Sequence, residues 1–259
     1  MKPVFFTASA LVASLVLVSS AFAQTAEPAP PLTYNISLTS NYKFRGQDQD
    51  QHRTGAFKPA LNGGFDYAFP NGFYVGNWNS TINWTKYLPA TSGSKVEIDV
   101  YGGYKFKAGD IDMDVGALTY YYPGASNANT TEVYLGAGFG PISAKYSRTV
   151  SKGYFGFGKA PTLGASGDGR GTGYFNLGYA QEVMPKTTLK AAVGFTNYKS
   201  ADATNYMDYS VGAAYDLGDG LTLNGAVQGA NKKSNYVYAI DPSKSLNKAT
   251  LVVTLTKAL

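Results

Sequence analysis

Apolar and polar residues alternate along most of the chain, and residues 95–106 show the pattern in its simplest form. Val96 and Ile98 fall on one parity, whereas Glu97 and Asp99 fall on the other. A period of two residues is typical of a β-strand, because successive side chains of a strand point to opposite faces. The segment is therefore predicted to be a strand with one apolar face and one charged face.

The same alternation recurs along the chain, and no segment has a convincing helical period. The twelve predicted strands are residues 33–45, 59–69, 72–84, 95–106, 111–122, 130–139, 142–151, 172–183, 187–199, 206–217, 221–233 and 249–259. Short turns and longer loops alternate between them. The turns at 70–72 and 218–220 contain Asn-Gly and Asp-Gly, which tolerate a positive φ. This alternation of turns and loops is the layout of an outer-membrane β-barrel.

The number of strands indicates which face points inward. Twelve strands make a barrel too wide for one layer of inward side chains to form a dry core. Aromatic residues also cluster near predicted strand ends, at 67–73, 84–87 and 120–122, as they do at the two lipid–water interfaces. The predicted fold class is therefore all-β, an antiparallel transmembrane β-barrel of about 12 strands with its polar face inside. A soluble β-sandwich is the alternative.

The first 32 residues are predicted to lie outside the barrel. Residues 1–23 have the form of a signal peptide, with Lys2, a long apolar run and Ala-Phe-Ala before Gln24. Residues 24–32 are rich in Pro and Ala and are predicted to be a flexible N-terminal segment. Residues 33–259 would form the outer-membrane β-barrel. The predicted location is the outer membrane of a Gram-negative bacterium after removal of the signal peptide.

Composition and charge narrow the choice of partners. The chain has no cysteine, so its fold does not depend on disulfides. Its formal net charge is +5, yet no stripe of Lys and Arg follows any element, which argues against a nucleic-acid partner. The basic excess instead predicts contact with outer-membrane lipid and lipopolysaccharide, or with anionic solutes.

Several blocks of sequence resemble the TorF-type porin family of proteobacterial outer-membrane proteins. They are "SNYKFRG" (40–46), "KPALNGGFDYAFPNGFYVGNWNSTINW" (58–84) and "EIDVYGGY" (97–104), with weaker similarity at 132–147 and in the late strands. The resemblance implies a β-barrel in the outer membrane and a pore, and it supplies no known solute. The chain departs from the family at 47–50, where "QDQD" replaces the usual Ser/Thr-Gln type pair.

Charged residues on the polar parity are the candidate functional residues. The predicted pore-lining set is Lys43, Arg45, Asp66, Glu97, Asp99, Lys105, Asp112, Asp114, Lys190 and Asp208. A basic side chain facing lipid at mid-bilayer costs about 2–4 kcal/mol, so these residues are expected to face the lumen or the rims. Two interpretations stay open at this point. One is a constriction that selects solutes by charge, and the other is a ladder of ion pairs that plugs the barrel.

Residues 48–53, "DQDQHR", offer the clearest alternative chemistry. Asp48 and Asp50 carry the oxygen ligands that calcium prefers, but no glycine or glutamate follows at EF-hand spacing. A solvated loop is therefore predicted. His52 is the sole histidine and has no evident serine partner, which argues against a hydrolase. No catalytic residue, cofactor or metal is predicted, and the protein is not expected to be an enzyme.

The predicted function is passive diffusion of small hydrophilic solutes through a charged aqueous lumen. A weak anion preference is expected from the basic excess and from the long loop 152–171. The alternative is a non-conducting barrel with a structural or adhesive role. The sequence leaves open whether copies of the chain associate into a homo-oligomer.

Overall fold

Twelve long antiparallel strands close into a barrel in the computed structural model, which describes residues 31–88, 93–156, 168–199 and 203–259. The barrel strands are β1 (Leu32–Thr39), β4 (Ala60–Ala68), β5 (Phe73–Thr81), β6 (Val96–Ala108), β7 (Ile111–Tyr121), β8 (Thr130–Phe139), β9 (Ile142–Thr149), β10 (Gly173–Met184), β11 (Thr187–Asn197), β12 (Tyr206–Gly218), β13 (Leu221–Ala230) and β14 (Thr250–Ala258). Two shorter strands, β2 (Lys43–Phe44) and β3 (Gln47–Asp48), pair only with each other. One turn of 3₁₀-helix, η1 (Trp84–Tyr87), follows β5 among the described residues.

Strand pairing confirms the predicted fold class. Each barrel strand pairs with its neighbours in sequence, and β1 closes the ring against β14, where Ile36 lies opposite Lys257. A β-sandwich would leave open sheet edges, so that alternative is wrong. Within the described residues, no helix is long and apolar enough to cross a membrane. The predicted signal peptide (1–23) and most of the flexible segment (24–32) lie outside the described residues.

The direction of the side chains confirms that the barrel is polar inside and apolar outside. On β6, Val100 is 57% exposed, whereas Glu97 and Asp99 are 1% and 0% exposed. Other strands show the same contrast, with outward leucine, valine and aromatic side chains. Closure of the ring pairs the backbone groups of the strands, which a hydrocarbon environment requires.

The connections differ in length at the two ends of the barrel, as predicted. Five turns of two to four residues join the strands at the turn end, and six longer connections lie at the loop end. Gly72 and Gly220 have φ of 94° and 72°, which explains the Asn-Gly and Asp-Gly pairs. Both described chain ends lie at the turn end, where the backbone amide of Tyr34 donates to the carbonyl of Leu259.

The first predicted strand is wrong beyond Thr39. The chain leaves the wall there, and residues 40–59, which we call loop 1, turn into the barrel. The amide of Lys58 donates to the carbonyl of Ser40 at the neck of this loop, with an N–O distance of 2.7 Å. Arg45 has a φ of 46° and Gly46 of 76°, so the chain reverses sharply between β2 and β3. Lys43 and Arg45 therefore lie on loop 1 and not on the barrel wall.

The aromatic belt is only partly as predicted. Phe69 and Phe73 are exposed at the turn end, and Tyr121 is exposed at the loop end. Tyr120 and Tyr122, in contrast, are buried inside the barrel, because they follow the inward parity of β7. Trp84 is buried as well. These inward rings fill the loop end of the lumen together with loop 1.

Candidate functional site

Inward tyrosines lie flat against the wall where the neighbouring strand has a glycine. A Cβ added to Gly103 would lie 2.6 Å from the hydroxyl of Tyr74, and one added to Gly116 would lie 2.5 Å from that of Tyr134. The two hydroxyl groups touch each other, and Tyr74 also donates to Asp114 over 2.7 Å. The glycines thus keep the rings along the wall, which leaves the axis of the barrel to other groups.

Loop 1 is fastened inside the barrel by a buried cluster of charges, which we call the loop 1 clip. Its members are Lys43, Asp48, Lys58 and Tyr238. Lys43 and Lys58 donate to the two carboxylate oxygens of Asp48 over 2.7 and 2.5 Å, and Tyr238 donates to the same carboxylate. Both lysine side chains are fully buried. The prediction of a solvated loop at residues 48–53 is therefore wrong for Asp48.

The electrostatics of the clip follow from burial and from the paired charges. Burial by itself would raise the pKa of Asp48, but the ammonium groups of Lys43 and Lys58 outweigh it and hold that pKa below its usual value. Burial also lowers the pKa of both lysines, against the opposing effect of Asp48. Tyr238 belongs to residues 231–249, between β13 and β14. The clip thus joins two connections that are far apart in sequence.

A second set of contacts holds the outer part of loop 1. Asp50 accepts hydrogen bonds from the side chains of Asn83 and Arg53 and from the amide of His52. The ring of His52 is exposed and lies 3.0 Å from the hydroxyl of Tyr87. Among the described residues, no three His, Cys, Asp or Glu side chains converge to hold a metal ion. The carboxylates of this segment therefore anchor the loop.

Arg45, at the tip of loop 1, is held in a cage of one carboxylate and several rings. Its guanidinium group donates to Glu132 and to the hydroxyl of Tyr154, each over 2.7 Å. The guanidinium carbon also lies 4.0 Å from the ring centroid of Tyr174 and 4.8 Å from that of Phe44. Charge-assisted hydrogen bonds and cation–π contacts both stabilise a buried guanidinium group.

Two further carboxylates lie in an aromatic pocket that we call the acidic box. It consists of Glu97, Asp99 and the rings of Tyr42, Trp78, Tyr120 and Tyr122. Glu97 accepts hydrogen bonds from Tyr42 and Tyr122, both over 2.6 Å. Asp99 lies opposite Trp78 on β5 and Tyr120 on β7. Neither carboxylate oxygen of Asp99 receives a hydrogen bond from any described residue.

Three lysines project from the wall into the lumen without an ion pair. Lys105, Lys145 and Lys190 have no carboxylate oxygen within 4.0 Å among the residues that the structure describes. The ammonium group of Lys145 lies 3.7 Å from the ring centroid of Tyr134. Lys190 has only Ala180 and Gly212 as its direct neighbours on the adjacent strands. Unpaired cations therefore face the interior of the barrel.

The comparisons with known proteins agree with the fold. The family described as "Bacterial protein of unknown function (Gcw_chp)" matches residues 23–259. The chain belongs to the Gcw_chp family. No protein of curated function matches it in sequence.

Solved porins share the architecture of this Gcw_chp barrel. The NanC porin aligns with a TM-score of 0.53 and 11% identity, over 88% of this chain and 98% of that chain. The KdgM porin aligns with a TM-score of 0.51 and 9% identity, over 87% of this chain and 97% of that chain. A KdgM structure in complex with disordered oligogalacturonate gives the same TM-score at 10% identity. At these identities the likeness shows the fold alone.

The ten residues predicted to line a pore occupy three kinds of position in the Gcw_chp barrel. Lys43 and Arg45 lie on loop 1. Asp112 lies at the turn end, where it pairs with Lys107 over 2.6 Å and both side chains are about half exposed. The other seven lie on the inward parity of the strands: Asp66, Glu97, Asp99, Lys105, Asp114, Lys190 and Asp208. Tyr101 donates to Asp66 over 2.6 Å, and Tyr174 donates to Asp208 over 3.1 Å.

Four charged residues inside the barrel were missing from the predicted set. Glu132 and Lys145 lie on the inward parity of β8 and β9, so the alternation of those strands contained the signal for them. Asp48 and Lys58 belong to loop 1, where no periodicity marks which side chains will be buried. These two residues lie inside the barrel because loop 1 runs inward.

Proposed function

We propose that the protein is a porin that allows passive diffusion of small hydrophilic solutes across the outer membrane of a Gram-negative bacterium. The observation that carries this proposal is a closed barrel that is apolar outside and charged inside. The ten predicted residues would line the pathway, together with Glu132 and Lys145. The narrower TorF-type assignment and contact with lipopolysaccharide are parts of the same proposal. One solved porin of this fold contains oligogalacturonate, which assigns no solute to this chain.

A weak preference for anions is part of the same proposal, and it concerns a route that passes beside the three wall lysines. Asp48 and Glu132 are paired with Lys43, Lys58 and Arg45, three basic residues of loop 1. The wall lysines have no such partners, and their field acts on solutes that pass beside them. The inward carboxylates outside these ion pairs act against that field; they are Asp66, Glu97, Asp99, Asp114 and Asp208. Two unit charges 4 Å apart interact by about 4 kcal/mol at an effective dielectric constant of 20. Solutes with a negative charge would therefore be favoured where the wall lysines line the route.

A non-conducting barrel is the second candidate, and one observation favours it. Loop 1 and the rings of Tyr42, Trp78 and Tyr120 fill the loop end of the lumen, and the ion pairs there are buried. Such a barrel would serve as a structural or adhesive protein. The difference between the two candidates lies in whether solutes pass beside loop 1.

Planar-bilayer recording of the refolded mature chain tests the proposal. We expect discrete conductance steps. Across a KCl gradient, the sign of the reversal potential should show that chloride passes more easily than potassium. The double variant Lys145→Gln, Lys190→Gln should move the reversal potential toward the potassium side. Lys233→Gln, an exposed lysine in the connection 231–249, is the matched control and should leave it unchanged. Absence of steps would favour the non-conducting barrel, and cation preference of the unmodified protein would refute the selectivity.

A further inference from the structure

The cage around Arg45 shows how this lumen stabilises a buried nitrogen cation. Glu132 supplies the charge, Tyr154 supplies a hydroxyl oxygen, and ring faces such as that of Tyr174 cover the guanidinium group. The cation and the carboxylate are both buried. Their pairing matters because a charge removed from water is stable only with a partner and with its hydrogen bonds made.

The acidic box contains components of the same kinds, carboxylates and aromatic rings, and no basic side chain belongs to it. Asp99 is fully buried, and both of its carboxylate oxygens are without a hydrogen-bond partner among the described residues. Glu97 accepts hydrogen bonds from two tyrosine hydroxyls, and no ammonium or guanidinium group of the described residues lies within 4.0 Å of it. One oxygen of Glu132 also receives no hydrogen bond from the part of the chain that the structure describes. Two neighbouring buried carboxylates beside aromatic rings offer a nitrogen cation the same kinds of contact that hold Arg45.

The ring positions suit a nitrogen cation better than a metal ion. Trp78 and Tyr120 flank Asp99 on the two adjacent strands. Their ring faces can stabilise an ammonium group, and the N–H groups of that ammonium would donate hydrogen bonds to the carboxylate of Asp99. A metal ion, in contrast, needs several oxygen ligands around it, and no three acidic or histidine side chains of the described chain converge for this purpose.

Loop 1 covers the acidic box. The ring of Tyr42 lies 5.5 Å from that of Trp78, and the ring of Phe44 lies 5.4 Å from that of Tyr120. The two rings that flank Asp99 are therefore each capped by an aromatic residue of loop 1. A ligand would reach Asp99 from the loop end when these two rings move aside.

We propose that the acidic box is a binding site for the primary ammonium or guanidinium group of a small organic cation, with Asp99 as its main ligand. Glu97 would share the charge, and Trp78 and Tyr120 would contact the bound group with their ring faces. The site does not depend on conduction, so it stands or falls separately from the porin proposal. A cation bound there would also cancel part of the acidic charge in the lumen.

Tryptophan fluorescence gives a direct readout of this site. The chain has two tryptophans, Trp78 and Trp84, and both belong to the buried cluster around the acidic box. Trp84 also lies 5.3 Å from the ring of Tyr122, which donates to Glu97. The full mature chain, refolded in detergent, would be titrated with methylammonium chloride at constant ionic strength. Tetramethylammonium chloride is the matched probe without N–H donors, and sodium chloride controls for salt.

The expected result is a saturable change of fluorescence with methylammonium that is absent with the other two salts. Asp99→Asn should weaken the apparent affinity at least tenfold, and Glu97→Gln should weaken it to a smaller extent. Asp112→Asn, the same change at the half-exposed turn end, should have no effect. Retention of heat-modifiable migration in gel electrophoresis would show that each variant is folded. No saturable change with methylammonium, or equal affinity in folded Asp99→Asn, would overturn the proposal.

Discussion

Replacing Asp48 by Asn should release loop 1 from the lumen without unfolding the barrel. The variant keeps the size of the side chain but leaves the ammonium groups of Lys43 and Lys58 buried with no anion between them. Both lysine side chains are 0% exposed and that of Asp48 is 3% exposed, so water screens the cluster very little. The barrel wall makes its own strand-to-strand hydrogen bonds and does not depend on the clip.

The structure allows an estimate of the size of this effect. Removal of one partner from a buried ion pair typically costs about 3–5 kcal/mol. Since about 1.4 kcal/mol corresponds to a factor of ten, the released state of loop 1 should gain roughly a hundredfold to a few thousandfold in population. Release of the loop would expose the two lysines to water, and their solvation favours the released state.

Limited proteolysis with trypsin measures the release. Lys43 and Arg45 are buried in the intact protein, whereas Arg53 is about half exposed and serves as an internal reference for cleavage. In Asp48→Asn, mass spectrometry should detect rapid cleavage after Lys43 and Arg45. Asp168→Asn removes an exposed carboxylate that pairs with Arg170 and should leave the cleavage pattern unchanged. Equal protection of the buried sites in Asp48→Asn and the unmodified protein would refute the reasoning.

Three further predictions concern the pH dependence of the clip, the wall and the arginine cage. Because the pKa of Asp48 in the folded protein lies below its ordinary value of 3.8, Asp48 stabilises the clip fully above that value and loses this effect as the pH falls through the lower, folded pKa. Protection of loop 1 from an acid-tolerant protease should therefore persist at mildly acidic pH and fail only in stronger acid. Loss of protection already near neutral pH would contradict this prediction. Gly103→Ala should destabilise the barrel by about 1–3 kcal/mol in urea unfolding, because the added Cβ would lie 2.5 Å from a backbone carbonyl, whereas Gly138→Ala has 3.8 Å of clearance and should be nearly neutral. Arg45→Lys should lower the thermal unfolding temperature, since one ammonium group cannot reproduce the planar guanidinium group that donates to Glu132 and to Tyr154 and lies against the rings of the cage. An unchanged unfolding temperature would show that the cage adds no stability.

The alternation of side chains was sufficient to predict the barrel because each strand has to meet two different environments. On β6, the inward Glu97 and Asp99 and the outward Val100 follow from parity alone. The same parity would have identified Glu132 and Lys145, had it been applied evenly to β8 and β9. Turn chemistry was equally local, since Gly72 and Gly220 adopt the positive φ that their pairs predicted.

The alternation of side chains does not show where a strand ends, because it can continue into a loop. Residues 40–45 continue the alternation of β1, yet the wall ends at Thr39. Nothing in the local pattern distinguishes Lys43 on a wall from Lys43 on an inward loop. The partners that decide the matter, Asp48, Lys58 and Tyr238, are brought together only when the ring has closed.

The sequence by itself determined the architecture of this protein: twelve strands, their order and the face that each turns outward. These properties follow from nearest-neighbour geometry and from the difference between lipid and a polar interior. Only the tertiary structure decided which charges are paired, which carboxylates lie in an aromatic pocket and where loop 1 runs. Those contacts join residues from opposite sides of the ring, such as Arg45 with Glu132, and their distances depend on the closure and width of the whole barrel.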